Sequence, residues 1–318
     1  MQRNTQYGAS EAIVRRIRTI LGNHQGYRAL HADGRLYRGA FQANDGARRF
    51  SRAAHLQGQV VPVSVRFSKG GGDPFAHFSA TVGMATRFYL PDGRVTHLVM
   101  LSQKLFVAST VEQFCGLLEA AMPARDGEPL NKAGLEAFLA RNPNSLNVFR
   151  MRAASPAPTS FAHTAFHAVH AFHYVNAEAQ ATAVRCHWVP VAGVQGQPVE
   201  ALTRQDVSIL FDELDQRLTH GPVMFDLVLE LAMPGDPLDD ATALWPEGRE
   251  TVAIGRLTVE APTTEAEQGD RVMNHDPTTL TDGIESAGDP ILDIRRGVYE
   301  VSAAQRSTGW KATRESLG

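Results

Sequence analysis

Apolar residues recur at every second position in several separate stretches of this chain, and that period constrains the fold more than any other feature. Val61, Val63, Val65 and Phe67 alternate with Pro62, Ser64 and Arg66; Val82, Met84 and Thr86 repeat the pattern; and Val223, Phe225, Leu227 and Leu229 show it again late in the chain. Successive side chains of a strand point to opposite faces, so a two-residue period predicts strands with one buried face. The turn Pro91-Asp92-Gly93 followed by Val95, Leu98 and Val99 extends the first group into a meander. His170 to Val175, a turn over Asn176 to Gln180, and Val184 to Val189 predict a hairpin, and Thr251 to Val259 a further strand.

Helical spacing interrupts these stretches. Ile13, Val14, Ile17, Ile20 and Leu21 predict an amphipathic opening helix, capped at Ser10 and stopped at Gly22. Residues 108–121 and 132–141 also read as helices, the second ending at Asn142-Pro143. Val207, Leu210, Phe211, Leu214 and Leu218 place another within Thr203 to Thr219, and a last helix begins at about Ile291. Ser155-Pro156-Ala157-Pro158 reads as a stiff connector between two strand-rich halves, and Pro262 to Pro290 is punctuated by Pro and Gly. Strands in hairpin-like runs, with helices inserted in blocks, predict an antiparallel α+β fold in one large domain.

Composition narrows the partners. With 31 Lys plus Arg against 34 Asp plus Glu, the formal charge of -3 is too balanced for a nucleic-acid or anionic-membrane surface. Cys115 and Cys186 are too few for a disulfide scaffold, and their spacing fits no thiolate metal site. The first 22 residues have no unbroken apolar core of a signal peptide, and no run of roughly 18 apolar residues occurs anywhere. These features predict a cytoplasmic protein with no nucleic-acid or membrane partner.

Several clusters could carry chemistry. In the cluster His163, His167, His170 and His173 of HTAFHAVHAFH, a helix would put His163, His167 and His170 on one face, where they could hold zinc, but HExxH is absent, and the alternation after His170 favours a strand that sends His170 and His173 to opposite faces. In the last helix Arg295 and Tyr299 are one turn apart, with Arg306 two turns further on the same side. A surface contact is the plainer reading. The functional one is an arginine that favours phenolate, a strong anionic ligand for ferric haem iron. Arg28 precedes His31 by three residues, and Arg66 and Ser68 end a strand.

Taken together, these segments resemble the haem catalases. There an Arg-x-x-His-Ala segment carries the distal histidine, an Arg-Phe-Ser strand end its hydroxyl partner, and an Arg-x-x-x-Tyr helix the axial tyrosine; this chain has them as RALHA, RFS and RRGVY, in the same order. RFYLPDG, the His170 hairpin, LWPEGRE and HDPTTLTDGIE extend the resemblance from about residue 20 to 310. The chain looks like the short catalase-related peroxidases: a single unit over 1–318, without the long N-terminal arm and C-terminal helical region of full catalases. The resemblance implies an antiparallel β-barrel of about eight strands enclosing haem b, with inserted and flanking helices.

Residue by residue, it implies His31 as distal base and Ser68 as the hydroxyl orienting its ring. It implies Tyr299 as axial ligand of ferric iron, Arg295 as that ligand's partner, and Arg28, Arg66 and Arg306 as arginines for the haem propionates. Phe114 falls where the family places an aromatic beside the haem, although an ordinary core phenylalanine would look the same. Where catalases carry a distal asparagine, an ungapped match puts Leu101, with Ser102 adjacent as a substitute if the register slips. Leucine donates no hydrogen bond.

The implied activity is peroxidase, using a hydroperoxide and a small organic reductant, with weak catalase activity at most; a homodimer is compatible with it. Rival readings are a fatty-acid hydroperoxide isomerase or lyase, which Leu30 beside His31 does not support, and a non-enzymatic haem or lipophile carrier, which has no use for His31. A zinc hydrolase ranks below both.

Overall fold

A computed structural model describes residues 2–76, 81–125, 127–202, 208–270 and 272–307. The chain opens with helix α1 (Gln2–Leu21) and runs through strands β1 (Gly34–Ala43), β2 (Val60–Lys69), β3 (Val82–Tyr89) and β4 (Val95–Leu101). Three helices follow, α2 (Val111–Ala121), α3 (Lys132–Arg141) and α4 (Pro143–Ala154). Next come β5 (Ala157–Pro158), β6 (Phe166–His167), β7 (Phe172–Val175), β8 (Ala181–Pro190) and β9 (Gly196–Gln197), then α5 (Val199–Leu202) and α6 (Ile209–Leu218). The chain ends with β10 (Val223–Leu231), β11 (Thr251–Thr263), β12 (Ile284–Ser286) and α7 (Pro290–Ala304).

The strands form the expected antiparallel barrel. The order β10-β11-β1-β2-β3-β4-β6-β8 closes on itself because β8 also pairs with β10, from Phe225 opposite Pro190 to Leu231 opposite Val184. These eight strands leave no open edge between them, which removes the unpaired backbone that an open sheet exposes. The hairpin of β7 and β8 extends outward to β12, and β5 with β9 forms a separate pair.

Alternation decides what lies inside. Val61, Val63, Val65 and Phe67 from β2, Met84 and Phe88 from β3, and Trp188 and Phe225 from the far wall fill the interior. Aromatic rings meet there edge-on or tilted, with Phe41 and Phe88 centroids 5.3 Å apart and Phe67 and Phe161 5.0 Å apart. The opposite parity, Arg66 and Ser68 on β2, Gly83 and Ala85 on β3, and Val99 and Leu101 on β4, faces the outside of the barrel, where the helices cover it. A second core joins α1 to α7 through Ile13, Val14, Ile17 and Val301. Among the described residues no helix is long and apolar enough to cross a membrane.

Four expectations need correction. The opening helix begins at Gln2, and Ser10 is no cap: it is fully buried in mid-helix against Gly297 of α7, where a Cβ would collide with its hydroxyl. The helix over 132–141 ends at Asn142-Pro143 as expected, and Pro143 also starts α4, at a first position where a missing N–H costs nothing. The connector does not separate two halves, since Ala157–Pro158 pairs with Gly196–Gln197 and strands from both sides share one barrel. His170 lies before β7 rather than in it, and Arg306 lies just past the end of α7. The start of the helix expected from Thr203, including Val207, falls outside the described residues.

Candidate functional site

Between the outer face of β2–β4 and helices α1, α2 and α7 lies a mainly apolar cavity of about 180 Å³. Its apolar wall includes Ile17, Val99, Met100 and Val298. All eight candidates, Arg28, His31, Arg66, Ser68, Phe114, Arg295, Tyr299 and Arg306, line this one space. Phe114 reaches it from α2, its ring 5.3 Å from that of Phe106, which is also in the wall.

The strand wall carries His31 and Ser68, with His31 Nδ1 3.0 Å from Ser68 Oγ. His31 has φ of +53°, a left-handed backbone that non-glycine residues adopt at a cost of about 1–3 kcal/mol. Arg66 holds the loop in this shape, its Nη2 donating to the carbonyls of His31 at 2.9 Å and Ala32 at 3.3 Å. Gly83 makes room for the pair: a Cβ there would lie 2.9 Å from His31 Nδ1 and 3.0 Å from Ser68 Oγ. Burial, reinforced by Arg66, Arg295, Arg152 and Arg28, pushes the imidazole down to about 3, so the ring is neutral.

The helix wall carries a relay that the sequence did not disclose. Asp289 caps α7, its Oδ1 accepting from Ile291 N at 2.8 Å, while Oδ2 lies 2.6 Å from His170 Nδ1. His170 Nε2 lies 2.9 Å from Arg295 Nη1, and Arg295 Nη2 donates to the Tyr299 hydroxyl at 2.6 Å. The tautomer with its proton on Nδ1 donates to the carboxylate and offers Nε2 as acceptor to the arginine. The Asp289-Pro290 pair at a helix start was a readable cap signal. That its carboxylate meets His170, far away in sequence, was not.

The remaining candidates are cations short of partners. Arg28 donates to the Met273 carbonyl at 2.8 Å and stands 3.7 Å from Glu265, while Arg66 and Arg306 form no ion pair among the described residues. Burial pushes Arg306 down to about 10, with Arg28 adding to the effect, and burial lowers Arg28 and Arg66 as well. Three guanidiniums with one nearby carboxylate make a site that a dianionic ligand would neutralise.

Leu101, not Ser102, lines the cavity; the Ser102 hydroxyl accepts from Val82 N at 3.1 Å. The histidine run disperses. His163 Nδ1 lies 2.9 Å from the Gly193 carbonyl, His167 pairs with His187, and His170 joins the relay. Among the described residues no three His, Cys, Asp or Glu side chains are placed to hold a metal ion.

A closed eight-stranded antiparallel barrel carries on its outer wall a cavity that brings together a histidine–serine pair, an arginine–tyrosine pair and three further arginines, a donor set suited to an anionic cofactor. The family model described as catalase matches residues 23–313, and the chain belongs to the catalase family. It is 39% identical over 294 residues to a catalase-related peroxidase of Mycolicibacterium paratuberculosis, covering 92% of each chain. It is 32% identical over 302 residues to a catalase-related peroxidase of Synechococcus elongatus, covering 94% of this chain and 89% of that one. Its fold superposes on catalase A from Saccharomyces cerevisiae with a TM-score of 0.77 at 18% identity, over 88% of this chain and 61% of that one. The chain thus spans about three fifths of the yeast protein. Membership of the family implies a haem cofactor, and the apolar cavity with Arg28, Arg66 and Arg306 in its wall fits one.

Proposed function

We propose that this chain is a peroxidase that uses ferric haem b to reduce hydroperoxides at the expense of a small organic donor, in the cytoplasm. One observation carries the reading: the His31–Ser68 pair and the Arg295–Tyr299 pair meet in one apolar cavity. Haem bound there would supply the two-electron reduction of a peroxide and the later withdrawal of single electrons from the donor. Tyr299 would supply the oxygen that holds the iron, and Arg295, held by His170 and Asp289, donates a hydrogen bond to that oxygen. Arg28, Arg66 and Arg306 would hold the propionates, and Phe114 would pack against the macrocycle.

His31 moves the proton. Its Nδ1 engages Ser68, so Nε2 is the nitrogen that takes a proton from one peroxide oxygen and returns it to the leaving oxygen. Because the ring is neutral, it accepts that proton without first losing one. Leu101 at the wall gives no donor to align a second peroxide, so oxygen release from hydrogen peroxide is the minor reaction.

The test compares oxygen evolution with dye oxidation by hydroperoxide on the same haem-loaded samples. Wild type oxidises dye faster than it releases oxygen, and Leu101→Asn shifts the balance several-fold toward oxygen, since one added hydrogen bond contributes about 1 kcal/mol. Strong oxygen release by wild type, or an unchanged ratio in the variant, would refute the proposal.

A further inference from the structure

His275 is a histidine the proposed chemistry does not use. It lies in the loop between β11 and β12, lines the cavity, and is 1% exposed. Neither of its ring nitrogens has a hydrogen-bond partner in the protein. A buried imidazole with both nitrogens unpaired is costly, and an apolar side chain would fill the same wall without that cost. Burial opposes its protonation, and the nearby cations Arg28, Arg66 and Arg87 add to the effect, so it is neutral and has one N–H to give. Its backbone is tied to the same end of the cavity, because Arg28 donates to the carbonyl of Met273, two residues earlier.

We infer that His275 is a fourth binding residue for the carboxylate edge of the cofactor, donating its ring N–H to a propionate that Arg28 and Arg66 also hold. The inference rests on the haem reading above and adds to it a residue with no part in peroxide chemistry. A carboxylate arriving there gives the orphaned donor an acceptor and relieves the repulsion among its cationic neighbours in the same event. The apoprotein carries the cost of the unpaired ring, and the bound state recovers it.

Haem loss separates this role from a packing role. Holoprotein is mixed with excess apomyoglobin and the transfer of haem followed by absorbance, for wild type, His275→Leu and His275→Gln, each loaded with haem or with haem dimethyl ester. With haem, the leucine variant should lose cofactor about tenfold faster than wild type and glutamine should recover most of the difference, as expected for one charge-assisted hydrogen bond. With the ester, whose carboxylates are capped, wild type and the leucine variant should lose cofactor at equal rates. The leucine apoprotein should melt no lower than wild type. Equal haem loss from wild type and the leucine variant would overturn the role of His275 while leaving the haem reading intact; so would faster loss that persists with the ester. A wild-type chain that takes up neither form would overturn both.

Discussion

Gly83 sets how closely His31 can lie to Ser68, since a single methyl group there would occupy the space beside both the imidazole and the hydroxyl. Gly83→Ala should therefore keep haem yet react with peroxide about 10²-fold more slowly, the usual result of displacing a reacting group by roughly an ångström. Stopped-flow absorbance on mixing with peroxide measures this, and a wild-type rate would show that the pair's spacing is unimportant. His31→Ala sets the scale, with a loss of about 10²- to 10⁴-fold. Because His31 is held neutral down to about pH 3, the same rate should be flat between about pH 5 and 8, whereas an ordinary histidine near 6.5 would lose its base form across that window. The candidate residues that meet in the cavity are legible because each sits in a short local pattern, as Arg28 does with His31 and Arg295 with Tyr299. Gly83, His170 and His275 were not, because their importance lies in what approaches them from distant parts of the chain.

Among the elements, α7 concentrates the most consequences, since one aspartate both caps it and steadies the arginine that meets its tyrosine. Asp289→Ala should destabilise the protein by about 2–4 kcal/mol, adding a lost cap to a buried histidine left without its acceptor. Asp289→Asn should recover much of this, because asparagine caps nearly as well. Denaturant unfolding of the three proteins decides it, and equal loss in both variants would assign the effect to charge rather than to capping. Tyr299→Phe should leave the apo fold largely intact but lose or greatly weaken haem binding, measured as haem content after reconstitution; full occupancy with an unchanged spectrum would place the axial ligand elsewhere. Element type was legible wherever the period was clean, as in α3, found over the residues expected, and in β2 and β10. It failed for β1, where adjacent Leu36 and Tyr37 are both buried and a bulge between Arg38 and Gly39 breaks the alternation. It failed too for the first turns of α1, whose apolar stripe begins only at Ile13.

At the scale of the molecule, the fold keeps several histidines neutral by burying them, His31, His55 and His167 at about 3 and His97 at about 4. In the unfolded chain each titrates near 6.5, so below that pH the unfolded state binds more protons and stability falls as acid is added. The contribution is complete above about pH 6.5 and declines toward pH 3, at about 1.4 kcal/mol per pH unit for each histidine. Unfolding free energy should drop steeply between pH 6.5 and 5, before most carboxylates titrate; a flat profile would mean these rings are charged in the fold. Closure of the barrel was not derivable from periodicity, which marks strands without naming their neighbours; the pairing of β8 with β10 and of β1 with β11 joins segments far apart in sequence. That arrangement also dictates an order of manufacture. His31, Ser68, Arg28 and Arg66 leave the ribosome first, whereas Arg295, Tyr299, Arg306 and the helix that seals against α1 follow on the order of tens of seconds later. A nascent chain presents the strand wall of the cavity well before the helix wall, so a cofactor that needs both walls arrives after β1 to β4 have been made.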